Sequence, residues 1–226
     1  MVMALEKSRR ERPAKPALTR DGIVAAAVGI LREEGLRKVT MRRLAQELDT
    51  GAASLYVYVR NTAELHAAIL DELLGTIAPP PSRGGWRERL ERLLTAYTAM
   101  LLEYPGLALS ALVARPSGEN YLRLVETLLS LLAEGDVPPE RRAWGIDILL
   151  QHATAIAAEH AGEEFPGEWD ALARAVREAD AATHPQIAAH AGDLLTGQPA
   201  QRMSWGFQVL ITGIADTAVP PGRNPA

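Results

Sequence analysis

Residues 39–61 read VTMRRLAQELDTGAASLYVYVRN. Thr40 is a helix-capping residue type. Leu44 and Leu48 follow it at four-residue spacing, so a short helix with one apolar stripe is predicted there. Asp49-Thr50-Gly51 forms turns readily. A second short helix is predicted over residues 52–59, with Leu55 and Val59 turned inward. Two short helices joined by a three-residue turn make a helix-turn-helix. In that arrangement the first helix crosses the phosphate backbone of a duplex and the second lies in its major groove.

The side chains suit that task. Ala52 and Ala53 make the start of the second helix narrow, and Ser54, Tyr56 and Tyr58 can donate to phosphates or base edges. Arg42 and Arg43 supply positive charge, and Thr40 and Thr62 stand at the starts of the flanking helices. Three-helix units with surface arginines and tyrosines also occur without any nucleic-acid role, so the pattern leaves both readings open.

Outward from this core, a helix is expected over residues 19–34. Thr19 serves as cap, Asp21 lies in its first turn, Ile23, Ala27, Ile30 and Leu31 share one face, and Gly35 ends it. Asn61-Thr62-Ala63-Glu64 reads as a capping box opening a helix to residue 78. Pro79-Pro80-Pro81 and Gly84-Gly85 then divide the chain. Beyond them helices are expected at 86–103, 105–114, 118–134, 139–162, 168–182 and 201–218, with 183–200 unassigned. No stretch alternates as a strand would. The predicted fold is all-α: a basic arm (1–18) that is disordered alone, a helix-turn-helix domain (19–78), and a helical-bundle domain (86–219), which the resemblance given below makes a ligand-binding and dimerisation domain.

Composition narrows the function classes. Of 24 Lys+Arg and 28 Asp+Glu, residues 1–75 hold 12 and 10 and the remainder 12 and 18, so a net charge of −4 conceals a basic front and an acidic body. The first twenty residues alone carry Lys7, Arg9, Arg10, Arg12, Lys15 and Arg20. There is no cysteine, hence no disulfide and no thiolate chemistry. No signal-like segment and no membrane-length apolar run is present, so a cytoplasmic protein without membrane contact is expected. No Glu-x-x-His, His-Glu-x-x-His, Gly-x-Ser-x-Gly or phosphate-binding glycine loop occurs. An enzyme is not expected, nor a cofactor or metal. A helical adaptor for protein partners is the other rival, disfavoured by the basic arm, Arg42 and the tyrosine-bearing helix.

Residues 20–74 resemble the TetR family of bacterial regulators. The resemblance rests on Glu34-Gly35, on Thr40-Met41-Arg42-Arg43-Leu44-Ala45-Gln46-Glu47-Leu48, and on Ser54-Leu55-Tyr56-Val57-Tyr58-Val59-Arg60-Asn61 followed by Leu65. It implies a homodimer on a palindromic double-stranded operator, with Arg42 reading a base and Thr40, Ser54, Tyr56 and Tyr58 at backbone or base edges. Three positions depart from the family pattern: Asp49 replaces the turn glycine, Thr62 a phosphate-gripping lysine, and Val57 an aromatic residue.

The body resembles the tetracycline-repressor branch through Trp86, Tyr104, Arg115-Pro116, Tyr121, Val125-Glu126-Thr127 and His152. Where that branch carries polar groups for a magnesium–drug chelate, this chain has Ala78, Leu93, Ala111, Ala114 and Leu128. The resemblance therefore implies a repressor released by a small, apolar or aromatic effector and not by magnesium–tetracycline. The expected pocket lining is Leu93, Tyr97, Met100, Leu101, Ala111, Leu112, Leu128, Ile148 and His152, with Tyr97 and His152 as orienting groups; such apolar stripes are equally what plain core looks like. The expected dimer interface is Trp144, Ile148 and Ala155 on one helix, with Trp205, Val209, Thr212, Gly213 and Asp216 on another.

Overall fold

The structure, a computed structural model, describes residues 17–113, 116–159 and 168–220. Most of the basic arm (1–16) and Ala114 lie outside the described residues. Among the described residues the protein is all-helical, with eleven α-helices and no strand.

The front of the chain is built from α1 (Arg20–Glu34), α2 (Met41–Glu47), α3 (Ala52–Leu55) and α4 (Thr62–Leu74). The Thr19 hydroxyl accepts from the Gly22 N–H at 3.1 Å, and α1 buries Ile23, Val24, Ala27, Val28, Ile30 and Leu31. Gly35 leaves the helix at φ 82°, a conformation that favours glycine, while its N–H still donates to the Leu31 carbonyl. Thr40 caps α2 by accepting from the Arg43 N–H at 3.1 Å. Asp49 turns the chain at φ 46°, which aspartate tolerates better than most residues. The second short helix is shorter than predicted: α3 ends at Leu55, and Tyr56–Tyr58 continue as turn. Val57 and Val59 lose rotamer freedom in a helix and so weaken its continuation. The Val59 N–H nevertheless donates to the Leu55 carbonyl at 3.0 Å, and both side chains are fully buried. The Asn61 side chain caps α4 by accepting from the Glu64 N–H at 2.8 Å. Glu64 reaches back past Asn61 to accept from the Arg60 N–H at 3.0 Å. That bond and the Arg60 guanidinium hold its carboxyl below the usual carboxylate range. α4 stops at Leu74, four residues earlier than predicted, where Gly75 begins a looser turn.

The body comprises α5 (Trp86–Glu103), α6 (Pro105–Val113), α7 (Glu119–Glu134), α8 (Pro139–Glu159), α9 (Glu168–Arg177), α10 (Pro185–Leu194) and α11 (Pro199–Asp216). α8 is its axis, packing on α5, α6, α7 and α11. Leu90, Leu94, Leu101, Leu107, Leu128, Leu132, Leu149, Ala153 and Phe207 are fully enclosed there. Burying each large apolar side chain contributes about 1.5–3 kcal/mol. The predicted end of α8 at 162 falls on residues outside those described. The unassigned stretch 183–200 resolves into α10 and the proline-led start of α11. α9 and α10 pack mainly on each other and leave Trp169, Leu172, Ile187 and Leu194 exposed. No described helix is long and apolar enough to cross a membrane.

Candidate nucleic-acid interface and effector cleft

Arg42, Ser54, Tyr56, Tyr58 and Thr62 are all exposed on the front of the molecule, and Val57 between the tyrosines is 79% accessible. A valine so exposed is not a core residue, and its methyl groups can meet an apolar base edge. The Thr40 hydroxyl accepts from the α2 backbone, which leaves its proton free to donate to a phosphate.

The structure departs from expectation at Arg43. One helical residue, about 100°, separates it from Arg42, and that rotation points it back into the protein. Its Nε and Nη2 donate to Glu34 Oε1 at 2.9 and 2.7 Å, and Nη1 donates to Glu47 Oε2 at 2.7 Å. The bonds to Glu34 and then Glu47 raise its pKa further. Arg43 thus fastens the end of α1 to α2. Arg42→Ala is expected to weaken specific binding by about 1–3 kcal/mol and relax preference at one base pair. Arg43→Gln is expected to weaken binding to all duplexes alike by loosening α2. Competition gel shifts with single-base operator variants separate the two.

Three of the openings among the described residues bear on the expected pocket and dimer face. The first, about 340 Å³, is lined by Tyr97, Ala111, Leu112, Pro116, Tyr121, Asp147, Leu150, Gln151, Thr154 and Ala155. Its floor is the Tyr97 ring, 5% exposed, whose hydroxyl lies 2.9 Å from Thr154 Oγ1. Burial raises the pKa of this phenol, the Thr154 bond opposing, so it stays neutral. Gln151 donates to Asp147 at 2.7 Å on the rim. A second cleft, about 320 Å³, is lined by Ala78 and Leu93 together with Ile77, Asn120, Leu124 and Thr127.

Of the expected pocket residues, Tyr97, Ala111 and Leu112 line the first opening and Leu93 the second. Met100, Leu101 and Leu128 are closed into the core between helices. Ile148 is 45% exposed and turns toward α11, so it leaves the pocket for the outer face. His152 is corrected likewise: its ring meets Phe207 edge-on at 5.6 Å, and a Cβ on Gly206 would fall 2.8 Å from its Nε2. It packs against α11, away from Tyr97. The missed residues, Asp147, Gln151 and Thr154, recur at i, i+4 and i+7 along α8. That polar stripe was the available signal.

A third opening, about 370 Å³ and mainly apolar, lies between α8 and α11 and includes Trp144, Ile148, Val209, Gly213 and Ile214. Trp144 and Trp205 are 56% and 69% exposed. Thr212 and Asp216 are exposed and Gly213 half-buried on α11. Ala155 departs from the expected interface, being half-buried in the Tyr97 cleft.

A short-helix DNA-reading head joined to a helical body with its own cleft defines a class: transcription factors that carry their sensor in the same chain. Residues 23–69 match the model for bacterial regulatory proteins of the tetR family, and residues 78–218 match the tetracycline repressor-like C-terminal domain. The chain belongs to the TetR family, and so is a DNA-binding transcription regulator and not an enzyme. A protein crystallised as a transcription regulator from Streptomyces coelicolor, SCO7704, is 57% identical over 92% of this chain and 100% of that one, with a TM-score of 0.80. ActR of Streptomyces coelicolor, in complex with actinorhodin, is 34% identical over 88% of this chain and 96% of its own, with a TM-score of 0.77. An HTH-type transcriptional regulator of Saccharopolyspora erythraea is 29% identical over 94% of this chain and 91% of its own.

Proposed function

We propose that the protein is a homodimeric repressor on a palindromic operator, released when an apolar or aromatic effector enters the Tyr97 cleft. The observation that carries this reading is the cleft itself: aromatic and aliphatic walls from Tyr97, Tyr121, Leu112 and Leu150, with a few polar groups from α8. Its size falls at the lower end of small-molecule sites, about 300–1,000 Å³. Ala78, Leu93 and Ala111 offer no donor or metal ligand to a chelate. Support also comes from ActR, a structural neighbour solved with actinorhodin. The exposed apolar face of α8 and α11 supplies the dimer contact, and a dimer sets two recognition elements on half-sites about 34–36 Å apart, or a multiple of that.

The test begins with a duplex selected by the wild-type chain from a random pool. Gel shift should show a retarded complex. Actinorhodin, used as an aromatic probe, should release it, and magnesium–tetracycline should not. Release by magnesium–tetracycline alone would overturn the assignment of effector class.

A further inference from the structure

Two side chains of α4 cross from the DNA-reading head to the body, and each lands beside a wall of the Tyr97 cleft. His66 Nδ1 lies 3.1 Å from Ser110 Oγ on α6, and Ser110 adjoins Ala111 and Leu112 of the cleft. Ser110 Oγ also lies 3.3 Å from the Gly106 carbonyl, which ties the pair to the backbone of α6.

Five residues further on, Asp71 Oδ1 accepts from the Tyr121 N–H at 2.9 Å. Its Oδ2 lies 3.5 Å from the Asn120 backbone nitrogen and 3.4 Å from the Asn120 side-chain nitrogen. Tyr121 is itself a cleft wall. The N-cap of α7 is Gly118, which has no side chain to serve the free N–H groups of that helix start. Asp71 serves them from another helix. Room for it comes from Gly118, since a Cβ there would fall inside the Asp71 carboxyl group. A carboxylate at a helix N-terminus is also favoured by the helix dipole.

We propose that Asp71 is a positioning residue: it couples the α7 wall of the cleft to α4, and through α4 to Thr62 and the recognition turn. An occupant that displaces Tyr121 draws on the Asp71 bond, and Asp71 carries the shift into the head. The α6 tether at His66–Ser110 is separate, so the α7 wall has its own line to the DNA. The inference rests on the proposed DNA-binding and effector reading.

Coupling between two sites is reciprocal, so DNA can act as the probe and the cleft as the reporter. The experiment is hydrogen exchange across residues 119–124 of the full-length protein, with and without the duplex that the wild-type chain selects from a random pool. In wild type, DNA should slow exchange there by about fivefold or more, the lower end of ordinary coupling factors. Asp71→Ala should still bind the duplex and show less than about a twofold change. Asp71→Leu keeps the branched shape but offers no acceptor to the Tyr121 N–H, and should behave the same; it carries the test if the alanine variant does not fold. Glu134→Ala, at the far end of α7, should keep the wild-type response. A full response in both Asp71 variants, or none in wild type, overturns the coupling. A wild-type chain that selects no duplex overturns the underlying reading instead.

Discussion

Val209→Glu should leave the protein monomeric at micromolar concentration and weaken operator binding by at least about 100-fold. Val209 is 48% exposed in the single chain and borders the apolar opening with Trp144, Ile148 and Gly213, so the protomer itself loses no core. In a symmetric dimer the change appears twice, once from each subunit, on self-complementary surfaces. An unpaired carboxylate enclosed in an apolar contact costs about 3–5 kcal/mol. At 1.4 kcal/mol per factor of ten, the lower figure alone exceeds a hundredfold in the dimer constant. Operator affinity follows, because one head on one half-site forfeits the second. Sedimentation and gel shift on the same sample read both effects. A dimer of wild-type strength would remove α8 and α11 from the interface.

Leu55→Ala is expected to abolish operator binding while the body remains folded. α3 has four helical residues, and Leu55 is the one it buries. It is fully enclosed, so its loss costs about 2–5 kcal/mol, a large share of the 5–15 kcal/mol that holds a domain. The turn carrying Tyr56 and Tyr58 hangs from Leu55 and Val59. Thermal melting should split, with an early loss of the head and a late one of the body. Wild-type affinity in this variant would mean that the exposed tyrosines are held by something other than α3.

The fold was legible because its signals are local. Thr19, Thr40 and Asn61 each cap the helix that their residue type announced, and the proline run at 79–81 lies between the end of α4 and the start of α5. The site was legible in part, and the losses share a cause. Arg43 differs from Arg42 by one helical step, but its partner Glu34 belongs to another helix. Tyr97 finds Thr154 fifty-seven residues away, and Asp71 finds Tyr121 fifty residues away. Periodicity says which residues share a face; it does not say which helix that face meets. Ile148 shows the limit best. It belongs to an apolar stripe on α8, and only the packing of α11 decides that the stripe looks outward and not into the cleft.

The distribution of tryptophan gives the molecule an optical property. Its four indoles are Trp86, Trp144, Trp169 and Trp205, and the DNA-reading head has none. Trp86 packs against Gly135 with Arg87 stacked 4.5 Å over its ring, so its emission is that of a sheltered indole. Trp144 and Trp205 lie on the face proposed above for the second subunit, and Trp169 is exposed on α9. Tryptophan fluorescence, excited selectively over Tyr56 and Tyr58 of the head, therefore comes from the body alone. A change on adding DNA cannot be contact quenching at the recognition turn. It must have travelled through the helices that join the head to the rest.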